Sequence, residues 1–110
     1  MQEEIRRTVA YIAGGRATGK FGSSIYSYDR RSYSSMSKTY DYEAKAHFSG
    51  AEAGNIYHYG IRAHVSLNLE REAFKGYDYA SRTHFSGKIN GKTIQIYDYS
   101  ESRYFNYSLQ

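Results

Sequence analysis

The chain contains no cysteine, which excludes disulfides and thiolate metal sites. It also lacks any apolar run approaching the ~18 residues that a membrane-crossing helix needs. It does not open on the charged start, apolar middle and small-residue cleavage pattern of a secretory signal. These absences point to a soluble chain with no membrane partner and a cytoplasmic address. Catalytic signatures are missing too. There is no Gly-x-Ser-x-Gly elbow. The stretch GGRATGK at 14–20 has a phosphate loop's residue types without its spacing, and Phe21 stands where magnesium chemistry needs a hydroxyl. We expect neither an enzyme nor a cofactor.

Aliphatic residues are few and 14 of the 110 residues are Tyr. A core built from this composition is largely aromatic, with hydroxyls that must reach water or a partner. That favours a thin, half-wet sheet in one domain, 1–110, which at this length buries roughly two-thirds of the surface its unfolded form exposes. The formal net charge of +4 and pI of about 9.2 permit anionic partners without demanding them.

What the sequence does have is a repeat. A ten-residue unit begins at Tyr26, Tyr40, Tyr57, Tyr77 and Tyr97. Its first and third positions are Tyr, its eighth is His or Tyr, and its tenth is Ser or Asn. The spacings are 14, 17, 20 and 20 residues, too uneven for a regular solenoid or propeller. Within Thr93–Tyr99 the period is two: Tyr97 and Tyr99 share one face while Ile94 and Ile96 share the other. If each unit is a hairpin with its fifth and sixth positions at the tip, the third position faces the eighth and the first faces the tenth. Tyr, His and Ser then lie on one side, with Phe48, Val65, Phe85 and Phe105 on the other beside Ile25, Ile56 and Ile96. The first unit carries Ser34 where the others carry Phe or Val, which marks an edge or a poorly formed copy. Between units, Asn90-Gly91 suits a tight hairpin turn, with weaker connections at 50–55 and 71–72.

Ahead of the repeats, residues 2–13 place Ile5, Val9 and Ile12 at helical spacing, with Glu3 and Glu4 at the start and Gly14-Gly15 as the stop. A strand through Thr8–Ile12 competes, because three of those five residues are β-branched. Residues 14–24 read as a Gly-rich connection, and 25–110 as the hairpin-repeat sheet. The fold expected is α+β, mainly β: an N-terminal amphipathic helix packed on a curled or partly closed antiparallel meander of about eight to ten strands.

Three of the four His residues, His47, His64 and His84, occupy the eighth position. Tyr33 and Tyr104 replace them elsewhere, so the position reads as an aromatic cross-strand partner and no metal site is expected. His58 falls on the other face and reads as a satisfied or exposed structural His. Asp41, Asp78 and Asp98 sit next to turns, where Asp accepts backbone N–H bonds. The candidate binding face is Tyr28, Tyr42, Tyr59, Tyr79 and Tyr99, beside a basic rim of Arg31, Lys45, Arg62, Arg82 and Arg103. Tyr is favoured at protein interfaces, so a protein partner or a homo-oligomer is the first expectation. Single-stranded nucleic acid, bound by stacking on Tyr and by basic tips, is the second. Sugar stacking is the third.

Overall fold

The computed structural model describes residues 1–52 and 54–110. Its order is α1 (Glu3–Thr18), β1 (Ser24–Ser27), β2 (Ser32–Ser35), β3 (Tyr40–Asp41), β4 (Ala46–Ser49), β5 (Asn55–His58), β6 (Ala63–Glu70), β7 (Ala73–Asp78), β8 (Thr83–Asn90), β9 (Thr93–Asp98) and β10 (Arg103–Leu109). The strands form one antiparallel sheet in which sequence neighbours pair, except β2 and β3, and β1 also pairs with β10. The two ends of the sheet, β2 and β3, meet at a single bridge between Met36 and Asp41. There the Tyr42 N–H donates to the Ser35 carbonyl at 3.0 Å and the Ser37 N–H to the Tyr40 carbonyl at 2.9 Å. The meander is thus a nearly closed barrel, and near-closure leaves little unpaired edge.

The helix occupies the lumen. Residues Arg7 to Gly15 are all buried, and α1 touches strands around the barrel: Tyr11 packs edge-on against Phe48 of β4, and Arg7 reaches Asp41 of β3. Further helix contacts fall on β1, β6, β8, β9 and β10. At about 1.5 Å per residue its 16 residues span roughly 24 Å, close to the 27–29 Å extents of the molecule. The strand alternative for 8–12 is thereby settled in favour of the helix. The alternation of β1 to β10 sends Phe48, Val65, Phe85, Phe105, Ile25, Ile56 and Ile96 inward as expected, all buried against α1 or one another. Tyr11 and Tyr107, both fully buried, keep their hydroxyls paired. Tyr11 donates to the Gly22 carbonyl at 2.6 Å and Tyr107 to the Glu3 carboxylate at 3.0 Å. Burial pushes both phenols above the ordinary value.

Three local expectations are corrected. First, the helix continues through Gly14-Gly15 to Thr18 and stops at Gly19, whose left-handed φ of 76° places its N–H on the Gly15 carbonyl. The connection expected over 14–24 therefore shrinks to the few residues before Ser24. Glycine inside a helix costs about 1 kcal/mol, but here the absence of a side chain is required. A Cβ on Gly15 would lie 2.3 Å from the Phe21 ring. Second, the hairpin register differs. The first position faces the eighth, as in Tyr57↔His64 and Tyr77↔His84, so the tips are four-residue loops made of positions three to six. Any even loop preserves the inside and outside faces, which is why the face assignment survived the shift. Third, Asn90 pairs with Thr93 and the turn is Gly91-Lys92, with Gly91 supplying the positive φ of 60°. The first unit pairs normally across four residue pairs and lies at the end of the sheet order. Its Ser34 points inward and donates to Glu43 at 2.7 Å.

Candidate functional site: an aromatic collar and an outer groove

Each tip is held by its second position. The Asp41 carboxylate accepts the N–H groups of Glu43 and Ala44, Asp78 accepts that of Ala80, and Asp98 accepts that of Ser100. The Ser27 hydroxyl and the His58 Nδ1 do the same for Arg30 and Ile61. Local capping of this kind is what Asp and Ser do at turns. The sixth position adopts the left-handed conformation in all five tips, with φ between 52° and 60° at Arg31, Lys45, Arg62, Arg82 and Ser102.

Outside the barrel the rings assemble into five clusters. The first-position Tyr is flanked by the third-position Tyr and by the eighth-position His or Tyr, with centroids 4.6–5.0 Å apart in tilted or edge-on geometry. Such pairs contribute about 0.5–1.5 kcal/mol beyond burial. The tenth position explains its own small side chain: Ser49, Ser66 and Ser86 lie opposite Tyr57, Tyr77 and Tyr97 of the next unit. Tyr28, Tyr42, Tyr59, Tyr79 and Tyr99 sit on the loops and not on the sheet, and each is 53–58% exposed. With Tyr33 and Tyr104 they form a collar around one end of the barrel. The candidate binding residues are thus brought to one end but distributed around it. Of the basic rim, Arg31, Lys45, Arg62 and Arg82 stand at the tips. Arg103 instead lies in β10 opposite Asp98, over the Phe105 ring and paired with Asp29.

His47, His64 and His84 each lie against a Tyr of their own hairpin. Among the described residues no group of three or more His, Asp or Glu is placed to hold a metal ion, and no helix is long and apolar enough to cross a membrane.

The inner mouth of the barrel holds the charge. Arg7 Nε donates to Asp41 at 2.7 Å and Arg6 Nη1 to Asp98 at 2.9 Å, with the Met1 amino group 3.2 Å from the same carboxylate. Burial works against the Asp98 carboxylate, but hydrogen bonds from Ser100 and the Met1 amino group hold it below its ordinary value. His58 is fully buried, its Nε2 has no partner among the described residues, and burial pushes its imidazole below the ordinary 6.5. Asp41 and Glu4 oppose that shift, and Arg7 adds to it. Of the two readings expected for His58, satisfied or exposed, the exposed one is excluded by its burial, and the satisfied one holds for Nδ1, which accepts from Ile61. Because the folded state favours neutral His58, its contribution to stability is present above the unfolded value of 6.5 and is lost as pH falls below it. His58→Asn can keep the acceptor for Ile61 without titrating. Urea midpoints taken stepwise from pH 7.5 to about 5 should fall more steeply for the natural protein than for His58→Asn; equal slopes would refute the assignment.

A second feature lies on the outer wall. An open groove of about 980 Å³ runs across β5–β8, lined by Asn68, Lys75, Tyr77, Arg82, His84 and Ser86 among others. It adjoins a smaller hollow of about 350 Å³ that includes Lys88 and Tyr104. Lys75 and Lys88 lie between the ten-residue units, so the repeat carried no signal for them; the alternation of β7 and β8, which turns both outward, did. Comparison with protein families, with curated proteins and with solved structures finds no match to this chain.

Proposed function

We propose that this chain is a non-enzymatic binding domain that meets a protein partner, or a second copy of itself, through the tyrosine collar. The observation that carries the reading is the exposure of seven Tyr rings, each more than half open to solvent, after each cluster has made its internal ring contacts. Exposed ring surface beyond what the fold uses is the mark of an interaction site, and Tyr offers large contact area at low entropy cost. On this reading the ten-residue unit is a hairpin module, repeated to present the same Tyr-x-Tyr pair five times around the barrel. The lumen supports the non-catalytic half of the proposal. It is filled by α1, and its carboxylates are engaged in tip caps and ion pairs.

Sedimentation velocity over a concentration series tests the reading, using the natural protein and Tyr28→Ser/Tyr42→Ser/Tyr59→Ser. These rings lie outside the core, so the variant should keep its circular dichroism. The expected result is an association, with itself or with a co-purifying protein, that weakens at least tenfold in the variant. A chain that is monomeric throughout and keeps the same partners after substitution overturns it.

A further inference from the structure

We infer that the groove across β5–β8, together with the hollow that adjoins it toward β9, is a binding site for single-stranded nucleic acid. Two observations carry this, and of the collar only Tyr99 and Tyr104 enter them.

The first is a segregation of charge that the net +4 conceals. The carboxylates of Asp41, Asp78 and Asp98 are fully buried at the inner mouth. On the outside, Asp29, Glu43 and Glu52 are held by Arg103, Arg30 and Lys38, and the exposed Glu72 and Glu101 line neither hollow. Among the described residues Lys75, Arg82 and Lys88 have no ion-pair partner, and Glu70 is the one carboxylate lining either hollow. The groove is therefore a local cationic surface suited to phosphate.

The second is the combination of rings and bases. Tyr77, His84 and Tyr99 line the groove and Tyr104 the adjoining hollow, with Lys75 and Lys88 on the neighbouring strands β7 and β8. Aromatic faces on which bases stack, beside cations that follow the backbone, form the general recognition surface for unpaired strands. Four inter-strand steps from β5 to β9 give about 19 Å, enough for about four nucleotides, the small end of known site sizes.

Anisotropy titration of a fluorescein-labelled oligothymidine tests the assignment. The natural protein should bind at low salt. Three phosphate contacts give a log affinity against log salt slope of about −2. Lys75→Glu/Lys88→Glu should lower affinity at least tenfold. Arg31→Glu/Lys45→Glu, on tips away from the groove, should change it less than twofold. Tyr99→Ser should weaken binding about tenfold with the salt slope unchanged, since stacking releases no counterions. Absence of binding at low salt, equal losses in the two charge-reversed variants, or equal affinity for polyglutamate overturns the proposal. Tyr28→Ser/Tyr42→Ser should leave oligonucleotide binding intact, so failure of the collar reading and failure of this one are distinguished.

Discussion

Replacing Arg7 with methionine is expected to cost about 3–5 kcal/mol of stability, the usual consequence of removing one partner from a buried ion pair. Arg7 is 3% exposed and Asp41 is fully buried. The Arg7 Nε meets Asp41 Oδ2 at 2.7 Å, and Nη1 lies 3.5 Å from Glu43. The loss would be felt at a weak place, because Asp41 is also the residue that bridges to Met36 and joins the two ends of the sheet. Its other oxygen caps the second tip. A charge left without its cation at that point favours opening of the seam. Urea unfolding should show the lower midpoint, and hydrogen exchange of the Tyr42 N–H, which donates to Ser35 across the seam, should accelerate more than exchange in β8 or β9. Arg7→Met combined with Asp41→Asn should lose clearly less than the two single changes added together, because the double variant has no orphaned charge. Additive losses would mean that the pair contributes nothing as a pair. An exposed pair offers the control. Lys38 and Glu52 are 3.0 Å apart but 51% and 76% exposed, and Lys38→Ala should change stability by no more than about 0.5 kcal/mol.

The role of Arg7 also shows where the sequence stopped being legible. In residues 2–13, Ile5, Val9 and Ile12 announced a helix with an apolar stripe. Arg7, off that stripe, is buried as well, because a carboxylate 34 residues away accepts its charge, as one 92 residues away does for Arg6, and no local pattern encodes such distant partners. The inward Phe and Ile of the strands were legible, since strand alternation fixes a face whatever the loop length. Pairing was not, because Tyr at both the first and third positions is compatible with two registers. The Asp at the second position held the deciding signal. A carboxylate that caps the N–H two residues on starts the loop immediately after itself, and that puts the third-position Tyr in the tip. The candidate rings and four of the five candidate bases do gather at one end of the barrel. Lys75 and Lys88 lie in the parts of β7 and β8 between units, where the repeat carries no signal.

Gly76→Ala should be among the most disruptive single-methyl additions to this protein, with an expected loss of about 3 kcal/mol. Gly76 lies in β7 between Leu67 of β6 and Phe85 of β8. A Cβ there would come 1.9 Å from the Ser66 carbonyl oxygen and 2.5 Å from the Phe85 ring. The ring can turn aside, whereas the oxygen belongs to a strand fixed by its ladder on both sides. Relief therefore requires β6 and β7 to separate or twist locally. Gly91→Ala sets the scale for backbone conformation alone. Gly91 has a φ of 60° with nothing within 4 Å of an added Cβ, so its loss should stay near the 1–2 kcal/mol of a left-handed residue. Urea midpoints of the two variants should fall in that order. Phe85→Leu, which shortens the ring side, should fail to rescue Gly76→Ala; rescue would show that the ring and not the backbone is the obstacle. Because Gly76 stands between Lys75 and Tyr77 in the wall of the groove, a twist there also moves the cation away from the ring. Gly76→Ala that still folds should therefore bind oligothymidine more weakly than the natural protein, whereas Gly91→Ala, on a turn outside the groove, should bind it equally well.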